Sequence, residues 1–162
     1  MKKKDVTIPD KALRKDLIEL LKGGQAHITL EEVLKDLKPE LCKVRPQKGV
    51  HSIYEEIEHM RIAQEDILRY TLDPTWESPE WPDGYWPSDT DEITQKILKS
   101  AVSRFFRDLK ELMRLVKNPK FDLTAKIPHG EGHTYLREVL LVADHNVYHL
   151  GKIVQKLKQL GE

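Results

Sequence analysis

The sequence predicts an all-α fold: a four-helix bundle with an interrupted first helix and a long Trp/Pro-rich loop. Three observations predict it. Apolar residues recur at helical steps over four long stretches, no strand pattern exceeds a few residues, and the breaks carry Gly, Pro or capping residues. In residues 10–21, Leu13, Leu17, Leu20 and Leu21 stand at helical spacing, and Gly23-Gly24 ends the run. Thr29 and Glu32 form a capping box that opens a short second helix through Leu37. Together these two pieces read as one kinked element. Pro39 and Pro46 bound the loop that follows. Ser52 and Glu55 form a second capping box. Ile53, Ile57, Met60, Ala63, Ile67, Leu68 and Tyr70 then predict a helix over about 52–71.

Residues 72–89 break every regular pattern. Four prolines and one glycine exclude a helix, and Trp76, Trp81, Tyr85 and Trp86 exclude a floppy linker. A loop this aromatic must pack on something, as a lid, a pocket wall or a small capping core. From Thr90 the helical pattern returns, from Ile93 through Phe105 and Leu112 to Val116, and Asn118-Pro119 ends it. Thr134 is a plausible N-cap for the last helix, whose apolar stripe runs from Leu136 through Leu157 toward Gly161.

Composition bounds the function. The chain has 162 residues, 39% hydrophobic and 33% charged, enough apolar material for the core of one domain spanning 1–162, with 1–9 as a frayed tail. Lys+Arg and Asp+Glu both number 27, a balance unlike that of a nucleic-acid binder working by bulk charge. No apolar run approaches the roughly 18 residues of a membrane span, and none follows Met1-Lys2-Lys3-Lys4 to make a secretory leader. The single cysteine, Cys42, excludes an internal disulfide and a Cys-based zinc site, reads as an inert buried thiol, and leaves the cytoplasm as the expected compartment.

Candidate chemistry lies in the seven histidines. His145 and His149 sit one turn apart in the strongest helical pattern, on a face with Leu141, Val142, Lys152 and Ile153. Two neighbouring imidazoles facing a core would repel if both were charged. A shared metal ion resolves the conflict, and so do hydrogen bonds to backbone or to each other; spacing leaves both readings open. His59, mid-helix beside an apolar stripe, is the best third ligand, because bundle metal sites are built from facing helices. Three imidazoles leave open positions and suit Zn, Ni, Fe or Cu over Mg or Ca. Glu55, Glu56 and Asp144 are the carboxylates available to support them. His27 reads as a pocket, surface or capping residue. His51 reads as a loop contact, His133 as a loop-positioning residue and His129 as exposed.

The stretches HSIYEEIEHMRIAQEDIL (51–68) and REVLLVADHNVYHLGKIVQKL (137–157) resemble the DinB/YfiT-like family of small helical bundles. GGQAH (23–27), YWP (85–87) and GEGHT (130–134) are similar to one branch of it, except that His133 stands where that branch has Gln. This family is unrelated to the DNA polymerase that shares the name. The resemblance implies a three-histidine divalent-metal site at His59, His145 and His149, with zinc or nickel the usual ion and iron or manganese as further options. It also implies a homodimer and a small-molecule substrate; the charge balance and the lack of a long apolar run argue against a nucleic acid or a membrane as partner. Relatives of this kind include metal-dependent hydrolases and transferases or an isomerase acting with low-molecular-weight thiols. Three functional readings follow, in order: a metal-dependent enzyme, a bundle whose ion only staples helices, and a stress-response interaction module using the aromatic loop.

Overall fold

The computed structural model describes residues 10–35, 37–88 and 92–161. The basic tail and Thr90 lie outside them. Six α-helices are present among the described residues: α1 (Asp10–Lys22), α2 (Leu30–Leu34), α3 (Pro39–Cys42), α4 (Ile53–Leu72), α5 (Gln95–Lys117) and α6 (Tyr135–Gln159). A 3-10 turn spans Asp83–Tyr85. No strand forms among the described residues; an isolated bridge pairs Lys126 with Thr134.

Side-chain caps set the helix starts. Thr29 and Ser52 each close a reciprocal capping box, with Glu32 and Glu55 respectively. Thr134 caps α6 through the backbone N–H of Arg137. α5 starts later than the pattern from Thr90 predicts, because the Thr94 side chain accepts from the Ile97 N–H and so fixes the first turn at Gln95. The first element is not one kinked helix. Gly23 (φ 69°) and Gly24 (φ 82°) adopt left-handed backbone, and residues 23–29 separate α1 from α2. The loop after it holds the short α3, opened by Pro39.

α4 packs along α5 and α6, and α1 packs against the same two helices. Their shared core includes Leu17 and Leu21 of α1, Ile57 and Leu68 of α4, Phe105 and Leu112 of α5, and Val142 and Ile153 of α6. Arg14 fastens α1 across the end of α5: its guanidinium donates to the carbonyls of Val116, Asn118 and Phe121 at 2.7–2.9 Å. A cation there complements the helix C-terminus and satisfies its last carbonyls. Cys42 is fully buried, and burial pushes its thiol up to about 12, as expected of an inert cysteine.

Glu55 ties the loop before α4 to that helix. It accepts from the Arg45 guanidinium, the Ser52 N–H at 2.7 Å and the His51 ring at 3.1 Å. Burial works against its ionisation, but these partners outweigh it and hold the carboxyl down at about 2, against 4.5 for a free glutamate. A depressed carboxylate contributes stability above its unfolded value that is lost as pH falls through the folded one. Melting temperature should therefore fall as pH drops from about 4.5 toward 2. Arg45→Ala should move that loss to higher pH. Parallel pH profiles for wild type and Arg45→Ala would show that this ion pair carries no stability.

Candidate metal centre

Glu56 meets Lys156 and His59 meets His145, so α4 and α6 run antiparallel past each other. That register brings one ring nitrogen each from His59, His145 and His149 within 4.8 Å of one another. His59 and His149 are buried; His145 is half-buried.

Hydrogen bonds at the far ring nitrogens decide which lone pairs are free. His59 Nδ1 lies 2.9 Å from the Tyr85 carbonyl, which can only accept, so Nδ1 carries the proton and Nε2 the lone pair. His149 Nδ1 lies 2.6 Å from the Glu56 carboxylate, which assigns the same tautomer. His145 Nε2 stands 3.1 Å from His59 Nε2. Two nitrogens at roughly 2.0–2.1 Å from one tetrahedral ion lie about 3.3 Å apart, so the spacing suits shared ligation. Burial first, then the charges of His149 and Lys152, pushes His59 below the ordinary imidazole value, against the opposing Tyr85 carbonyl. Burial, then His149 and His59, pushes His145 down to about 3. Neutral imidazole is the form that binds metal. The donor set therefore fits a divalent ion that accepts nitrogen, and the three histidines could hold one.

Of the three carboxylates the sequence offered, Glu56 supports the cluster. It is fully buried, accepts from His149 and from Lys156 Nζ at 2.6 Å, and has Lys152 Nζ 3.2 Å away. Burial opposes its ionisation, yet His149 and the two lysines hold its carboxyl at about 2. Glu55 serves Arg45 and His51 instead, and Asp144 is exposed.

The aromatic loop covers one side. The Trp86 indole lies between two imidazoles, stacked on His51 (centroids 3.6 Å, planes 9° apart) and on His59 (4.0 Å, 7°). Asp66 anchors the loop by accepting from Trp76 Nε1 at 2.8 Å and from the Tyr85 hydroxyl at 2.6 Å. Burial and then the Asp66 carboxylate push the Tyr85 phenol up, so it stays a donor. Trp81 is 72% exposed and packs edge-on against Tyr85.

The remaining histidines stay outside the cluster. His51 contacts Trp86 and Glu55, and His133 lies 3.3 Å from the buried Glu138. His129 is exposed against the Tyr70 carbonyl, and His27 lines a separate cavity. Sequence reasoning missed Lys156, Asp66 and the Tyr85 carbonyl. Lys156 stands seven residues after His149 and Asp66 seven after His59, two turns along the same faces. That spacing was the available signal.

Helices that converge three imidazoles, with a buried carboxylate behind one of them, define a helical protein with a candidate metal centre. A family model described as the DinB superfamily matches residues 25–153, and the chain belongs to that superfamily. No curated protein and no solved structure is a significant match.

Proposed function

We propose that His59, His145 and His149 hold one divalent ion, zinc or nickel before iron or manganese. In this reading the site serves a metal-dependent hydrolase or a small-thiol-dependent transferase. One observation carries it: three imidazole nitrogens converge while the far nitrogens of His59 and His149 are anchored on a carbonyl and a buried carboxylate. An ion bound there supplies Lewis acidity, drawing the pKa of water or a low-molecular-weight thiol toward neutrality. The chain's own residues do the rest. Glu56 fixes the His149 tautomer, and Lys156 and Lys152 keep Glu56 ionised. Trp86 covers one face of His59, and His145 is the least buried of the three.

The fold reading that accompanies it is a four-helix bundle of α1, α4, α5 and α6, an architecture that builds metal sites between facing helices. No helix among the described residues is long and apolar enough to cross a membrane. Cytoplasmic placement and a homodimer belong to the same proposal; fractionation and analytical ultracentrifugation test them. A second reading, an ion that staples α4 to α6 without chemistry, draws on the burial of His59 and His149 beneath Trp86.

Elemental analysis of tag-free protein beside the His59→Ala/His145→Ala/His149→Ala variant is the test. The expected result is about one ion per wild-type chain and none in the variant. A wild-type chain that is empty and cannot be loaded overturns both readings. If it loads, a cobalt-substituted protein whose visible spectrum responds to a small thiol favours the enzyme. An unresponsive spectrum with a large melting-temperature drop on chelation favours the staple.

A further inference from the structure

The GGQAH stretch has no part in the histidine cluster, yet the structure gives it a place. The turn at Gly23-Gly24 leaves a cavity of about 360 Å³ between α1, α5 and α6. Its walls are apolar, formed mainly by Leu20, Leu21, Phe105, Phe106, Leu109 and Leu150. His27 and Thr29 of the 23–29 loop also border it. A Cβ on Gly24 would lie 2.6 Å from the Thr29 methyl, so glycine is what lets the loop fold this tightly. The cavity uses the Ala143–Asn146/Val147–Leu150 stripe of α6, and none of His59, His145 and His149 lines it.

One polar residue of this lining, Asn146, is held from behind by a buried amide. The Phe105 carbonyl can only accept, so Gln64 turns Nε2 toward it at 2.7 Å and presents Oε1 to Asn146 Nδ2 at 3.0 Å. That chain fixes the Asn146 amide, whose Oδ1 is buried away from the cavity space with no partner among the described residues. Ligand pockets have this composition: mostly apolar walls with a few polar groups that fix orientation.

We propose that this cavity is a second binding site, separate from the histidine cluster, for a small neutral organic molecule. The ligand is mainly apolar and of aromatic size. Neutrality follows from the lining, whose charged members are Lys22 and Glu31, of opposite sign. Size follows from volume: a dry cavity of about 150 Å³ takes benzene, and this one is more than twice as large.

The chain offers a direct reporter. Of its three methionines, Met60 and Met113 line the cavity and Met1 lies outside the described residues. Full-length protein labelled with [methyl-13C]methionine is titrated with benzyl alcohol and with ethylbenzene, which replaces the hydroxyl by a methyl. The titration is run with and without divalent ion. We expect saturable shifts of the Met60 and Met113 methyls, a stationary Met1, and the same result in both ion states. Ethylbenzene should bind more tightly than the alcohol, because the mainly apolar walls leave the hydroxyl without a partner. Leu20→Trp, at a partly exposed wall position, should abolish both responses. Absence of saturable shifts in wild type overturns the proposal, whatever the variants do. An alcohol that binds more tightly than ethylbenzene overturns the apolar assignment. Either failure leaves the histidine reading untouched, because elemental analysis decides that separately.

Discussion

Glu56→Gln is expected to weaken ion binding at the three-histidine cluster by about 10–100-fold, the usual effect of losing a carboxylate behind a ligating histidine. It is also expected to destabilise the fold by about 3–5 kcal/mol, the range for breaking one side of a buried ion pair. The two losses have different causes. Glu56 accepts from His149 Nδ1 at 2.6 Å and so sets which nitrogen of that ring is free. A glutamine presents the same shape but only half the acceptor capacity and none of the charge. Independently, Lys156 is 4% exposed and donates to Glu56 at 2.6 Å, so in the variant its ammonium is left buried beside a neutral amide. Lys152 is one-third exposed and can turn to solvent.

The double variant Glu56→Leu/Lys156→Met separates the causes. Removing both buried charges should restore most of the stability while ion affinity stays low. Chemical denaturation and competition with a calibrated chelator read the two quantities. If the double variant recovers ion affinity together with stability, Glu56 acts on the fold alone and the tautomer argument fails.

How far the sequence reached follows from what kind of signal each feature leaves. Helix starts at Ser52 and Thr134 were legible because capping is local: a side chain and a backbone N–H three residues on. The break at Gly23-Gly24 was legible for a similar reason, since left-handed backbone selects glycine. His145 and His149 announced themselves by helical spacing, but their meeting with His59 depends on how α4 and α6 slide past each other. No local pattern encodes that register. Choosing Glu56 over Glu55 needed the same register, because adjacent residues on one helix point about 100° apart and only one faces α6. The aromatic loop was legible as something packed, and which tryptophan did what was not. Trp86 stacks on two imidazoles, Trp76 donates to Asp66 and Trp81 faces solvent; each outcome depends on a tertiary partner.

That loop carries the remaining large effect. Asp66→Ala is expected to loosen ion binding, although Asp66 stands two turns along α4 from His59 and touches none of the three histidines. Its carboxylate receives the Trp76 indole N–H and the Tyr85 hydroxyl, and it joins the middle of the loop to α4. Hydrogen bonds to a charged group contribute about 1.5–3 kcal/mol each. Losing both, with two half-buried donors left unpaired, should cost about 3 kcal/mol or more of stability. The consequence for the cluster runs through Tyr85 and Trp86. The Tyr85 carbonyl holds His59 Nδ1 at 2.9 Å, and Trp86, the next residue, stacks on the same ring. A loop released at Asp66 frees both, and His59 must then be ordered at the expense of binding energy. Amide exchange across residues 74–88 should accelerate, tryptophan fluorescence should shift toward that of exposed indole, and chelator competition should report a weaker site. Tyr85→Phe, which removes one of the two bonds to Asp66 and keeps the carbonyl, should give a smaller change in the same direction. If Asp66→Ala accelerates exchange in the loop and leaves ion affinity at the wild-type value, the Tyr85 carbonyl and Trp86 do not position His59. The ligand set must then owe its geometry to α4 and α6 alone.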